Sequence, residues 1–126
     1  MNPVVAIDFD GTIVEHAYPN IGKPCPHAIR VMRRLREMCV EIVLFTMRSG
    51  DPLQEAVDYI ESNGIDLYGV NVNPTQHTWT ESPKAYAKIY IDDAALGCPL
   101  RPAFQTVRPM VDWLAVEKML EERGIL

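Results

Sequence analysis

Residues 4–9 are a short β-branched run, apolar on both faces, which carries Asp8 near its end and is followed at once by Asp10. A run without a polar face reads as a central strand covered on both sides. Two carboxylates at the end of a buried strand repel each other and are costly to desolvate, so their presence needs a reason. The rest of the chain repeats the pattern of strand and helix. Pro26 fits a first helical position, and Ala28, Met32, Leu35 and Cys39 recur at helical spacing, which predicts a helix over about 26–38. "EIVLFT" is the second strand. A second helix follows, with Asp51 as N-cap, Pro52 next, Gln54 completing a capping box, and Leu53, Ala56, Val57 and Ile60 as its buried stripe. Gly64 ends it. "LYGVNVN" is a third strand, "PTQHTWTESP" a loop, "KAYA" one helical turn and "KIYIDD" a fourth strand. Residues 95–109 read as irregular with a short edge strand at 103–107, and a last helix is expected over about 110–123. This alternation predicts one α/β domain over residues 1–126, a three-layer arrangement with helices on both faces of a parallel sheet.

The bulk properties narrow the function. A chain of 126 residues with 48% apolar residues builds one core without disulfides. The net charge of −5 disfavours a nonspecific nucleic-acid or membrane binder, although a nucleic-acid end as substrate stays open. Cys25, Cys39 and Cys98 are odd in number and lack zinc-like spacing, which fits reduced thiols in a cytoplasm. The N-terminal run lacks a basic region and is interrupted by Asp8, so a signal peptide is not expected. No run approaches the roughly 18 apolar residues of a membrane span.

In an open parallel sheet, ligands bind outside the carboxyl ends of the strands. Strand one ends in Asp8 and Asp10, strand two in Thr46, Met47, Arg48 and Ser49, and strand four in Asp92 and Asp93, with Lys84 ahead of it. Four carboxylates on one rim need a cation, and oxygen-only ligands select a hard ion, Mg²⁺ being the natural choice. Such an ion would bring in a phosphate, whose other oxygens Thr46, nearby amides and Lys84 would hold.

"DFDGT", then "LFT" at a strand end, then a lysine, then "YIDD" resembles the haloacid dehalogenase (HAD) superfamily of phosphohydrolases, and the order of elements matches over nearly the whole chain. The resemblance implies a Rossmann-like core and a Mg²⁺-dependent phosphatase. Asp8 would be the nucleophile that forms an aspartyl-phosphate, and Asp10 the general acid and base. Dehalogenases of the superfamily lack an aspartate at the Asp10 position and ion pumps carry threonine, so Asp10 points to phosphatase or phosphotransferase chemistry. The Asp8 carboxylate and the Asp10 main-chain carbonyl would bind Mg²⁺, with Asp93 a direct ligand and Asp92 behind it. Thr46, Met47 and Arg48 would face the phosphorylated substrate, and Lys84 would offset charge. Lys84 lies closer to Asp92 than is common in the family, and Lys88 is the fallback.

Other residues have plainer readings. Arg48 is equally an arginine paired with a rim acid, and Ser49 a turn residue. His16, His27 and His77 are expected to be solvated. Tyr18 and Trp79 sit in long loops expected to flank the rim, where they grip substrate or only anchor those loops. Arg30, Arg33, Arg34 and Arg36 read as a solvated helix face, and Trp113 as core. Neither the stretch from Asp10 to Thr46 nor that from Thr46 to Lys84 has room for a folded cap. The resemblance is thus to a capless core, open to a small or macromolecular phosphate ester or closed by a second copy. A phosphotransferase and a non-catalytic phosphoryl-binding domain are the alternatives to a phosphomonoesterase.

Overall fold

A computed structural model describes residues 1–126. Its centre is a four-stranded parallel sheet of β1 (Val4–Ile7), β2 (Glu41–Leu44), β3 (Gly69–Val70) and β4 (Ile89–Ile91), in the order β3-β2-β1-β4. β1 is flanked on both edges, pairing Val4 with Glu41 and Ile7 with Leu44 on one side, and Val5 with Ile89 and Ile7 with Ile91 on the other. That position explains its lack of polar residues: all four residues of β1 are buried.

The helices are α1 (Ala28–Glu37), α2 (Gly50–Ser62) and α3 (Trp113–Glu122). All three feed one apolar cluster, which takes Val5, Ile7, Ile42, Leu44 and Ile91 from the sheet, Met32 and Leu35 from α1, Ala56 and Ile60 from α2, and Trp113 and Leu120 from α3. The other sheet face carries a small cluster of Val4, Ala6, Val43 and Ala87, with Tyr68 and Tyr90 against it. The expectation of helices on both faces is therefore corrected. The step from β1 through α1 and α2 to β3 runs one way across the sheet, and the return from β3 to β4 must cross the opposite face if its hand is right-handed. The return segment is residues 71–88, whose regular structure is a 3₁₀ turn at Gln76–Thr78, so no α-helix forms the second layer.

Other local expectations shift for identifiable reasons. α1 starts after His27, which has a left-handed backbone, and Cys39 lies beyond its end and is exposed. Ser49, not Asp51, precedes α2 and makes no side-chain cap, while Gln54 bonds Asp58 instead of closing a box. "KAYA" is not helical. The edge strand lies at Leu100–Arg101 (β5) rather than 103–107, and pairs antiparallel with Met110–Val111 (β6). α3 thus begins at Trp113, capped by the Asp112 carboxylate, which accepts from Ala115 N at 3.2 Å. Glu117 of α3 takes a two-pronged bond from Arg30 (2.8 and 2.9 Å) and one from Arg34 (3.0 Å), so two of the four arginines of α1 tie it to α3 rather than facing water alone. No helix is long and apolar enough to cross a membrane.

Candidate active site

The chain leaves β1 into a tight turn. Gly11 N donates to Val14 O at 2.7 Å and Ile13 N to Phe9 O at 2.8 Å. Gly11 has φ 78°, and a Cβ there would collide with His16 and Asp93, so glycine is required on both counts. The turn is fixed from below by α3 and the hairpin: the Trp113 indole donates to Thr12 O at 2.6 Å, and Val111 N donates to Gly11 O at 3.0 Å.

That turn presents Asp8 to the end of β4. Carboxylate oxygens of Asp8, Asp92 and Asp93 all lie within 4.8 Å of one another. Thr12, fully buried, links them: its hydroxyl donates to Asp8 Oδ2 at 2.9 Å and accepts from Asp93 N at 3.2 Å. Asp92 Oδ1 accepts from Ala94 N at 2.9 Å. Burial, and then the charge of Asp92, push the Asp8 carboxyl up from 3.8 to about 8. Burial likewise raises Asp92. A site that holds three acids together and penalises the charge of Asp8 and Asp92 is one suited to a cation, and the all-oxygen set suits a hard one such as Mg²⁺. Asp92 and Asp93 contribute alike to this set.

Asp10 stands apart from it. Both its oxygens accept from Arg48, at 2.8 Å from Nε and 2.7 Å from Nη2. The remaining Arg48 donors go to the carbonyls of Pro19, Asn20 and Pro52 at 3.1, 2.7 and 3.2 Å, and its guanidinium packs on the rings of Phe9 and Tyr18. Arg48 is 3% exposed and has no donor left for a substrate, so its assignment to substrate binding is corrected. The plainer reading, an arginine paired with a rim acid, describes it.

The rim encloses an open cavity of about 520 Å³, lined by Asp8, Asp10, Asp92 and Asp93 on its acidic side and by Thr46, Met47 and Tyr18 among its other walls. Thr46 Oγ1 accepts from Arg48 N at 3.1 Å, which leaves its own hydrogen free to donate. Asn71 Oδ1 accepts from Thr46 N at 2.8 Å and holds the end of β2 in place. Met47 is exposed.

Lys84 does not line this cavity. Its ammonium lies 5.3 Å from the Tyr90 ring, on the sheet face that the return segment covers. With no helix between it and β4, nothing carries the chain back toward the strand ends. Lys88, just ahead of β4, lines a different cavity with Met1, Asn2 and Glu41 at the opposite ends of the strands. Trp79 lies there too, edge-on to Tyr86, so its expected place beside the rim is also corrected. His16, expected to be solvated, instead places Nε2 2.7 Å from Asp93 Oδ2. Only the fold of the turn after Asp10 brings it there. Thr12 was in plain view in "DFDGT", but its bridging role needs β4 as a neighbour. Arg108, which no motif or spacing singles out, also lines the cavity.

No family model matches the sequence, and no curated protein matches it. Among solved structures, a conserved protein coded by a locus from Bacteroides thetaiotaomicron matches with a TM-score of 0.79 and 31% identity, over 98% of this chain and 93% of that one. The likeness extends over nearly the whole of both chains, and this chain belongs to the same family as that Bacteroides protein.

Proposed function

We propose that this protein is a Mg²⁺-dependent phosphomonoesterase of the HAD superfamily, a capless form whose second helical layer is reduced to residues 71–88. The observation that carries the reading is the meeting of Asp8 with Asp92 and Asp93 within 4.8 Å, beside the free hydroxyl of Thr46. Asp8, Asp92, Asp93 and the Asp10 main-chain carbonyl would hold the ion, which supplies charge neutralisation to the acids and to the incoming phosphate.

Thr12 holds Asp8 Oδ2, which leaves Oδ1 to attack phosphorus. The P–O bond to the leaving group breaks as the Asp8–phosphorus bond forms, giving an aspartyl-phosphate. Thr46 donates to a phosphoryl oxygen through the transfer. In the second half, water attacks the phosphorus and Asp8 is released. Asp10 gives a proton to the leaving oxygen in the first half and takes one from the attacking water in the second, so its protons balance over the cycle. Arg48, which donates to both Asp10 oxygens, fixes where that carboxyl sits.

The test is hydrolysis of a generic aryl phosphate with Mg²⁺ and with chelator, with intact mass after an acid quench. Phosphate release that depends on Mg²⁺, with a phosphate adduct mapped to Asp8, is the expected result. Full turnover in chelator, or an adduct elsewhere, defeats the reading.

A further inference from the structure

The aspartate cavity has an imbalance of charge. Its lining includes four acids and two arginines, but Arg48 is committed to Asp10. Lys84 is not part of the lining. Arg108 is exposed, makes no ion pair, and is the cation on this wall with donors to spare.

The segment that carries Arg108 is held firmly although it lacks regular structure. It spans the two strands of the β5–β6 hairpin, residues 102–109. Glu15, 1% exposed, reaches it from the stretch just after the Asp8–Asp10 turn. Its Oε1 accepts from Phe104 N at 3.1 Å and Gln105 N at 2.9 Å. Phe104 in turn lies under the Arg101 guanidinium and near the Lys23 ammonium. At the far end, the bond from Val111 N to Gly11 O ties the hairpin to the aspartate turn itself. Between these anchors, Thr106 Oγ1 accepts from Arg108 N at 3.3 Å. A buried carboxylate spent on two loop amides is costly unless the loop's position matters.

We propose that Arg108, held at the aspartate cavity by the Glu15-anchored loop, is the cation that binds the phosphoryl oxygens of the substrate, in the place that the motif resemblance assigns to Lys84. The inference rests on the phosphatase reading above and adds the residue that recognises the anion. A guanidinium suits the role because its fork matches two phosphoryl oxygens at once. Its exposure suits an open site in which the substrate arrives from solvent.

The experiment is calorimetric titration of inorganic phosphate into the Mg²⁺-loaded protein, alongside aryl phosphate hydrolysis, for wild type, Arg108→Ala, Arg108→Lys, Lys84→Ala and Lys118→Ala. The last removes one exposed positive charge from α3, away from the site. Arg108→Ala should weaken phosphate binding about tenfold, Arg108→Lys less, and the gap should narrow at high salt. Lys118→Ala should match wild type, and the thermal midpoint of Arg108→Ala should not move, since the side chain has no partner to lose. If wild type hydrolyses the ester and Arg108→Ala binds phosphate as well as wild type, this inference is wrong and the phosphatase reading stands. Loss of binding in Lys84→Ala alone also overturns it. If Mg²⁺-loaded wild type neither binds phosphate nor releases it, the phosphatase reading fails and this inference with it.

Discussion

At the scale of single residues, the two acids of the opening turn differ in their neighbours more than in their positions. Asp8 sits in an acid cluster and Asp10 in a guanidinium fork. Asp8→Asn keeps the shape and removes the proposed nucleophile, so aryl phosphate turnover should fall to background. Asp10→Asn should slow hydrolysis of an alkyl phosphate by about 10²–10⁴-fold. With an aryl phosphate, whose leaving group needs little protonation, it should accumulate an aspartyl-phosphate visible by intact mass. An Asp10→Asn protein that hydrolyses an alkyl phosphate at the wild-type rate would remove Asp10 from the acid–base role. Arg48→Lys tests the fork. Lysine cannot span both Asp10 oxygens and three carbonyls. A loss of about 1–3 kcal/mol is expected, read as a fall in thermal midpoint, because buried acceptors go unpaired. An unchanged midpoint would mean that the fork does not hold the structure together.

Among the elements, the turn after β1, the β5–β6 hairpin and α3 behave as one support for the site. Trp113 and Val111 bond to consecutive carbonyls of that turn. The α1–α3 contact is electrostatic where it meets solvent. The Arg30 and Arg34 guanidiniums hold the Glu117 carboxyl down to about 2, from 4.5. Because the folded value lies below the ordinary one, this contribution is present above about 4.5 and is lost as pH falls toward about 2. Glu117→Gln should therefore lower the thermal midpoint by a few degrees at neutral pH, and the difference from wild type should shrink below pH 4 or so. A gap that persists at low pH would mean that packing, not charge, accounts for it.

For the whole molecule, the acid cluster couples proton binding to the fold. Asp8 in the folded chain titrates at about 8 against an ordinary 3.8, so over that range the folded state keeps a proton that the unfolded state has lost. Stability without metal should then fall as pH rises from about 4 to about 8. Under the proposed function, Mg²⁺ would bind only the folded site and relieve the repulsion, so it should raise the thermal midpoint, and more at pH 8.5 or so than near pH 5, where the proton competes. Calorimetric scans at both values, with and without Mg²⁺, check this. Equal shifts at both would separate the ion from Asp8. The same slope should be absent in Asp8→Asn.

How legible the molecule is depends on how far a feature reaches along the chain. β1 and its acids, the existence of all three helices and the strand ends bearing Thr46 and Asp92–Asp93 could be read from the sequence because each rests on residues within one element, and the parallel sheet because the elements alternate along the chain. Periodicity and burial of a single segment are local properties. The missing second helical layer could not be read, because residues 71–88 satisfy the topology by crossing the face without a helix. Cap positions slipped by a residue or two because backbone conformation at His27 and Ser49, rather than side-chain type, set the helix starts. The places of four side chains were decided only when distant elements met: Arg48 onto Asp10, His16 onto Asp93, Lys84 onto Tyr90, and Arg108 into the aspartate cavity. The sequence by itself determined which acids end which strands, since a parallel sheet aligns its strand ends whatever the loops do. Which cation faces those acids was decided by the tertiary structure alone, because a long side chain's reach depends on the path of its loop, and no periodicity records that path.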